Sequence, residues 1–86
     1  MLAWRTIRST VRPMGRRPFG LVEMGRRLVA SRLRAGLTQA ELAGALGVTV
    51  RSISRWEGGA QGIDALQLRA WAKACRADVR RLLGLL

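Results

Sequence analysis

Histidine is absent from this chain, and acidic residues, aromatic residues and cysteine are scarce. Without histidine the chain lacks a common metal ligand and the usual general base of catalysis. The sequence also has no nucleophile–base pair and no phosphate-binding glycine loop, so we expect no enzyme activity, no metal and no cofactor. The single cysteine, Cys75, excludes an internal disulfide and suits a reducing compartment. We expect Cys75 to be a small core residue.

Long apolar runs are missing as well. No run approaches the roughly 20 residues that a membrane-spanning helix needs, so we expect no membrane partner and a cytoplasmic protein. A chain of 86 residues forms one domain at most. The core of so small a domain is thin, and a partner subunit would help to stabilise it.

The shortage of acidic residues leaves a large positive charge. Five acidic residues oppose 16 Lys and Arg residues, which gives a formal net charge of +11. Such an excess destabilises a compact chain by self-repulsion unless a polyanion offsets it. We favour nucleic acid as that polyanion. Anionic lipid and a simply well-solvated surface are the alternatives.

The charge divides the chain into two parts. Residues 1–21 hold five arginines and no acid, and we predict a basic, flexible arm there. Four residues interrupt regular structure near its end: Pro13, Gly15, Pro18 and Gly20. Residues 22–86 carry the remaining +6, eleven basic residues minus five acidic ones, and form the predicted domain.

The role of this arm stays open at the sequence level. Its arginines fit contacts in a DNA minor groove, and they also fit a disordered tail. The first twelve residues can be drawn as an amphipathic helix, so a mitochondrial transit peptide is a further alternative. Met14 and Met24 leave a later start open.

The domain is predicted to be all-α, with five helices. Apolar residues recur at helical spacing from Val22, and Gly36 ends that first helix as a C-terminal cap. Capping residues begin the four later helices. They are Thr38, Thr49, Asp64 and Asp78. No segment alternates with period two for long enough to form a strand.

Residues 37–59, LTQAELAGALGVTVRSISRWEGG, place two short helices on either side of a very short turn. Gly47 supplies the positive φ that such a turn needs, and Ala43 is small where the helices approach. The second helix, predicted at residues 49–57, has Ile53 and Trp56 on its apolar face. This pattern specifies the packing of a helix-turn-helix, although a helical hairpin without a DNA role satisfies part of it.

At these residues the chain resembles the helix-turn-helix family of the phage repressors and Cro proteins, the xenobiotic-response-element type. The resemblance covers residues 24–86. The matching segments are GLTQAELAGALGV, SISRWEGG and LQLRAWAKACRADVRRLLG. It implies a compact five-helix DNA-binding domain whose third helix enters the major groove. It also implies double-stranded DNA as the partner and a homodimer that binds a palindrome.

The resemblance assigns roles by position. Gln39 would bind a phosphate and brace the recognition helix, while Val50, Arg51 and Arg55 would face base edges. Arg32 would pair with Glu57 in a structural salt bridge. The whole predicted DNA-binding set is Gln39, Thr49, Val50, Arg51, Ser52, Ser54 and Arg55. Either arginine could instead bind only phosphate, which positions the protein without reading sequence.

Several packing questions remain at this level. Ser31 stands where the family usually has leucine, so we expect loose packing there. Trp71 fits the core or a dimer interface, and so do the four C-terminal leucines. They are Leu82, Leu83, Leu85 and Leu86.

Two functions of different classes fit these features. The first is a sequence-specific repressor that blocks a promoter as a homodimer. The second is the antitoxin of a toxin–antitoxin pair, which would bind a toxin protein and autoregulate its operon. Both are bacterial or phage-encoded. The sequence does not identify the operator, the regulated genes, the dimer interface, or repression rather than activation.

Overall fold

The computed structural model of the chain describes residues 20–86, and every regular element among them is an α-helix. The helices are α1 (Leu21–Arg34), α2 (Gln39–Leu46), α3 (Val50–Glu57), α4 (Ala65–Cys75) and α5 (Val79–Leu82). The predicted five-helix, all-α fold is therefore confirmed. The predicted arm lies outside the described residues except for Gly20 and Leu21, and Leu21 begins α1. Within the described residues, no helix is long and apolar enough to cross a membrane.

Side-chain caps begin the four later helices at the residues predicted from the sequence. The Thr38 hydroxyl accepts a hydrogen bond from the Glu41 backbone N–H at 3.0 Å, and the Glu41 carboxylate accepts one from the Thr38 N–H at 2.8 Å. This reciprocal capping box satisfies two donors that the helix itself leaves unpaired. Thr49, Asp64 and Asp78 each accept a bond from a backbone N–H two or three residues later.

The turn between α2 and α3 has the geometry that its glycine allows. Gly47 has φ 71° and ψ 31°, the left-handed region that costs other residues about 1–2 kcal/mol. The next residue, Val48, donates its N–H to the Ala43 carbonyl at 3.0 Å. Ala43 itself is buried. Three residues, 47–49, therefore separate the two helices, and α3 packs closely against α2.

The core brings together residues from all five helices. Leu28, Leu42, Ile53 and Trp71 are completely buried, and Trp56 is 6% exposed. The rings of Trp56 and Trp71 meet edge to face, with centroids 6.3 Å apart and an interplanar angle of 65°. Aromatic pairs prefer this arrangement because the positive ring edge meets the negative ring face. Trp71 is therefore a core residue in this chain.

The C-terminal leucines divide between core and surface. Leu82 is buried against the core, and Leu83 is half-buried beside it. Leu85 and Leu86 are 69% and 66% exposed. The short helix α5 thus completes the core with one leucine and leaves the last two residues outside it.

The expectation of loose packing at Ser31 is wrong. Ser31 is buried, and its hydroxyl donates to the Leu28 carbonyl at 2.8 Å and accepts from Trp71 Nε1 at 2.9 Å. A hydrogen-bond acceptor stabilises a buried indole N–H, and serine supplies one where leucine cannot. Cys75 is buried too, as predicted, and this burial raises the pKa of its thiol.

Candidate nucleic-acid interface

Helix α3 has one buried face and one exposed face. Ile53 and Trp56 point into the core. Four residues are exposed on the other side: Val50, Arg51, Ser54 and Arg55. At 100° per residue these four span an arc of about 140°, which is one continuous face of the helix. All four belong to the predicted DNA-binding set, and two of them carry guanidinium groups that the protein leaves uncovered.

The first turn of α3 is held by two hydroxyl side chains from that set. The Thr49 hydroxyl accepts from the Ser52 N–H at 3.1 Å, and it lies 3.2 Å from the Ser52 hydroxyl. Thr49 is exposed and Ser52 is half-buried. The N-terminal end of α3 therefore has a defined shape beside the exposed face, and it carries the positive end of the helix dipole.

Arg55 is oriented by a residue that the sequence analysis did not select. Its Nε donates to Gln61 Oε1 at 3.1 Å, across the loop that follows α3. The two terminal nitrogens of the guanidinium keep their donors for another partner. No sequence signal points to Gln61, because the contact depends on how the 58–64 loop folds back beside the helix.

The C-terminal end of α3 is anchored by a charged network. Glu57 Oε2 accepts from Arg32 Nε at 2.6 Å, and Glu57 Oε1 accepts from Arg32 Nη2 at 3.2 Å and from Gln39 Nε2 at 2.8 Å. Arg32 Nη1 also donates to the Leu37 carbonyl at 2.9 Å. One carboxylate thus joins the side chains of α1 and α2 to the end of α3.

This network is largely removed from water. The side chains of Arg32 and Glu57 are 12% and 6% exposed. The hydrogen bond to Glu57 raises the pKa of Arg32 above its ordinary value, against the opposing effect of burial. Gln39 is half-buried and directs one amide N–H inward, so it braces α3 through Glu57. Its predicted phosphate contact stays a prediction.

A glycine allows α1 to approach α3 closely enough for this network to form. Gly25 is buried, and a β-carbon there would overlap the Glu57 carbonyl oxygen and lie 2.9 Å from the Trp56 carbonyl oxygen. This role was not predicted from the sequence. The available signal was a glycine inside a helical pattern, which costs about 1 kcal/mol relative to alanine and points to close packing.

Comparisons with known proteins agree with this arrangement. The helix-turn-helix domain family matches residues 23–84 of the chain. Among solved structures, the restriction-modification controller protein C.AhdI from Aeromonas hydrophila superposes with a TM-score of 0.69 at 29% identity, covering 72% of this chain and 90% of that chain. The clp gene regulator ClgR from C. glutamicum superposes with a TM-score of 0.67 at 29% identity, covering 72% and 80%. No curated protein matches the chain.

The family match spans most of the described residues and overlaps every helix named above, and both structural relatives are regulators. This chain belongs to the helix-turn-helix family of DNA-binding transcription regulators, of the phage repressor and Cro type.

Proposed function

We propose that the protein is a sequence-specific repressor that binds duplex DNA as a homodimer and inserts α3 into the major groove. The proposal depends on one observation: α3 is exposed on one side and held in place on the other. Its outer face presents Arg51 and Arg55 to solvent, while its inner face and its C-terminal end are held by the core and by Glu57. A helix fits the major groove, which is about 12 Å wide, and rigid support improves its precision as a reader.

In this proposal, the two exposed arginines and Val50 contact the base edges. A guanidinium can donate two parallel hydrogen bonds to O6 and N7 of guanine, which discriminates against other bases by about 1–3 kcal/mol. Arg51 and Arg55 are four residues apart, so their β-carbons lie about 6 Å from each other and their heads can reach neighbouring base pairs. Val50 is 44% exposed beside them and suits a thymine methyl group.

Phosphate contacts would position the helix. Gln39 uses one amide N–H on Glu57 and keeps the other for a phosphate oxygen. Thr49, Ser52 and Ser54 offer hydroxyl groups at and beside the start of α3. Such contacts set the register of the protein on the duplex and carry no sequence information themselves.

The basic arm would add affinity without specificity. It joins the domain at Gly20, and the first turn of α1 packs against the loop after α3, where a β-carbon on Gly59 would meet the Val22 backbone at 2.9 Å. The arm would therefore leave the domain near the C-terminal end of α3. Each arm arginine on a phosphate would steepen the salt dependence of binding by about 0.9 in log–log slope.

Binding titrations test the base-reading role. A cognate site is first selected from randomised duplexes, and Arg51→Ala is then compared with the unaltered chain on cognate and scrambled DNA at two salt concentrations. We expect the cognate preference to fall by roughly 5- to 150-fold, the equivalent of 1–3 kcal/mol. Arg69→Ala is the matched control, since Arg69 is exposed on α4. Equal losses on both duplexes for Arg51→Ala would overturn the assignment.

The homodimer and the mode of repression have their own tests. Two α3 helices related by a two-fold axis would bind half-sites about 34 Å apart. Inserting five base pairs between the selected half-sites should therefore weaken binding, and transcription from a promoter that overlaps the site should fall as protein is added. We propose that the protein acts in the bacterial cytoplasm and is encoded by a bacterium or by a phage. The comparisons give no support to the antitoxin alternative, and no described contact favours a toxin partner.

A further inference from the structure

Most of the net positive charge of the described domain lies outside the segment that contains α2 and α3. Residues 38–57, which include α2 and α3, hold two arginines and two glutamates, so their net charge is zero. Helix α1 carries four basic residues and one acid, and residues 65–86 carry five basic residues and one acid. These two segments therefore hold +3 and +4. More of the net positive charge of this domain is therefore carried by α1 and by residues 65–86 than by residues 38–57.

Part of that charge forms a continuous strip, which we define as Arg34, Arg76 and Arg81. Arg34 lines two neighbouring surface hollows, one shared with Arg76 and the other shared with Arg81. Among the described residues, no acidic side chain lines either hollow. All three arginines are exposed, and within residues 20–86 the ion pairs use other basic residues.

Two arginines of the strip, Arg34 and Arg81, face away from α3. Gly25 and Arg32 are seven residues apart on α1 and both meet the C-terminal end of α3. At 100° per residue, Arg34 lies about 200° around α1 from Arg32. Arg81 belongs to α5, which packs on α1 and α4. Arg34 and Arg81 therefore lie away from the face that α3 would present to a duplex.

We propose that this strip binds the sugar–phosphate backbone of a second DNA segment, so that the protein bridges two duplexes. Guanidinium groups match phosphate oxygens in geometry as well as in charge. Between the arginines the hollows are lined mainly by small side chains. These are Ala30, Ser31, Ala35, Ala74 and Ala77.

That lining favours DNA over an acidic protein surface. Protein interfaces draw most of their affinity from buried aromatic and other large anchors, and the described lining offers no exposed large apolar side chain for one. Phosphate binding requires only positive groups and is insensitive to sequence. The second segment would therefore be held without base recognition.

A bead-retention assay tests the proposal. An immobilised duplex carrying the selected site is saturated with protein, and retention of a fluorescent duplex that lacks the site is measured. We expect the unaltered chain to retain the second duplex. Replacing Arg34 and Arg81 with glutamate should reduce that retention at least about tenfold, because lost phosphate contacts weaken binding steeply. Occupancy of the immobilised site should stay unchanged.

A charge-matched control separates the strip from net charge. Replacing Arg26 and Arg69 with glutamate removes the same total charge from exposed positions that line neither hollow. This variant should retain the second duplex. A second strip variant, with Arg34→Gln and Arg81→Gln, guards against misfolding, and thermal unfolding of every variant is recorded.

Three outcomes would overturn the proposal: no retention by the unaltered chain, retention by both strip variants, or an equal loss in the control. Binding of an acidic protein in place of the second duplex would count against it too. The proposal rests on DNA binding through α3. Occupancy of the immobilised site is measured on the same beads, so a failure of α3 binding is distinguishable from a failure of the strip.

Discussion

Arg32 of α1 and Glu57, the last residue of α3, form an ion pair in which Nε and Oε2 are 2.6 Å apart. The pair joins residues 25 positions apart in the chain, and Gln39 adds a third donor to the same carboxylate. Because both charged side chains are nearly buried, each depends on the other for compensation. This one carboxylate therefore helps to fix the position of α3 relative to α1 and α2, together with the buried side chains Ile53 and Trp56.

Glu57→Gln should destabilise the protein strongly. The substitution keeps the shape of the side chain and leaves the Arg32 charge buried without a counter-charge, which typically costs about 3 kcal/mol. The measurement is chemical denaturation at neutral pH. The matched control is Glu23→Gln, which breaks the partly exposed pair with Arg27 on α1 and should cost less than about 0.5 kcal/mol. Equal effects of the two substitutions would contradict the buried role of Glu57.

Ser31→Ala should remove an acceptor that Trp71 requires. The indole N–H would then be buried without a partner, and such orphaned donors cost about 1–3 kcal/mol. Ser54→Ala provides the control, because Ser54 is exposed on α3 and alanine is at least as good a helix former. If the free energy of unfolding were the same in both variants, the Ser31–Trp71 bond would have no stabilising role.

Gly25→Ala and Gly44→Ala should have opposite effects on stability. Both glycines lie inside helices, where alanine is intrinsically better by about 1 kcal/mol. At Gly44 a β-carbon meets nothing within 4 Å, so we expect an increase in the melting temperature. At Gly25 it meets the Glu57 and Trp56 carbonyl oxygens, so α1 and α3 must separate, at a net cost of about 1–3 kcal/mol.

The same glycine pair also gives a functional readout. A displaced α3 should bind the selected site more weakly, so Gly25→Ala should lose DNA affinity at a temperature where it is still folded. Gly44→Ala should keep that affinity. An unchanged melting temperature and unchanged binding in Gly25→Ala would show that the helix contact tolerates the methyl group.

Arg76→Gly should stabilise the domain. Arg76 ends α4 with φ 53° and ψ 42°, a left-handed conformation that costs a residue with a β-carbon about 1 kcal/mol and glycine nothing. The control is Arg26→Gly, which places the same substitution at an exposed position inside α1 and should cost about 1 kcal/mol. Thermal unfolding compares the two. A lower melting temperature for Arg76→Gly would show that the arginine side chain stabilises the turn by more than its backbone conformation costs.

Local sequence signals predicted the helices well, because each depends on neighbouring residues. Thr38 and Glu41 form their capping box within one turn, and Gly47 adopts the left-handed conformation that the α2–α3 turn requires. The amphipathic spacing of α3 also predicted which side would be exposed. Arg51 and Arg55 are on that side, although their contacts with DNA stay predictions.

The contacts that the sequence did not reveal depend on how the chain folds back on itself. Ser31 was expected to pack loosely, and its hydroxyl is instead the acceptor for Trp71, 40 residues later. Gln61 orients Arg55 only because the loop after α3 folds back. Gly25 matters only where α1 crosses the Glu57 carbonyl. None of these partners can be recognised from local spacing.

The amino-acid order alone determined five helices, their caps, the short turn after α2, and a positively charged chain whose third helix has one apolar face. These properties follow from interactions between residues close in sequence and from composition. Tertiary structure decided which serine accepts the hydrogen bond of Trp71, which glycine lets two helices touch, and which arginines line the same surface hollows. Those outcomes depend on how helices pack in three dimensions, where residues far apart in the chain compete for the same buried space and the same hydrogen-bond partners.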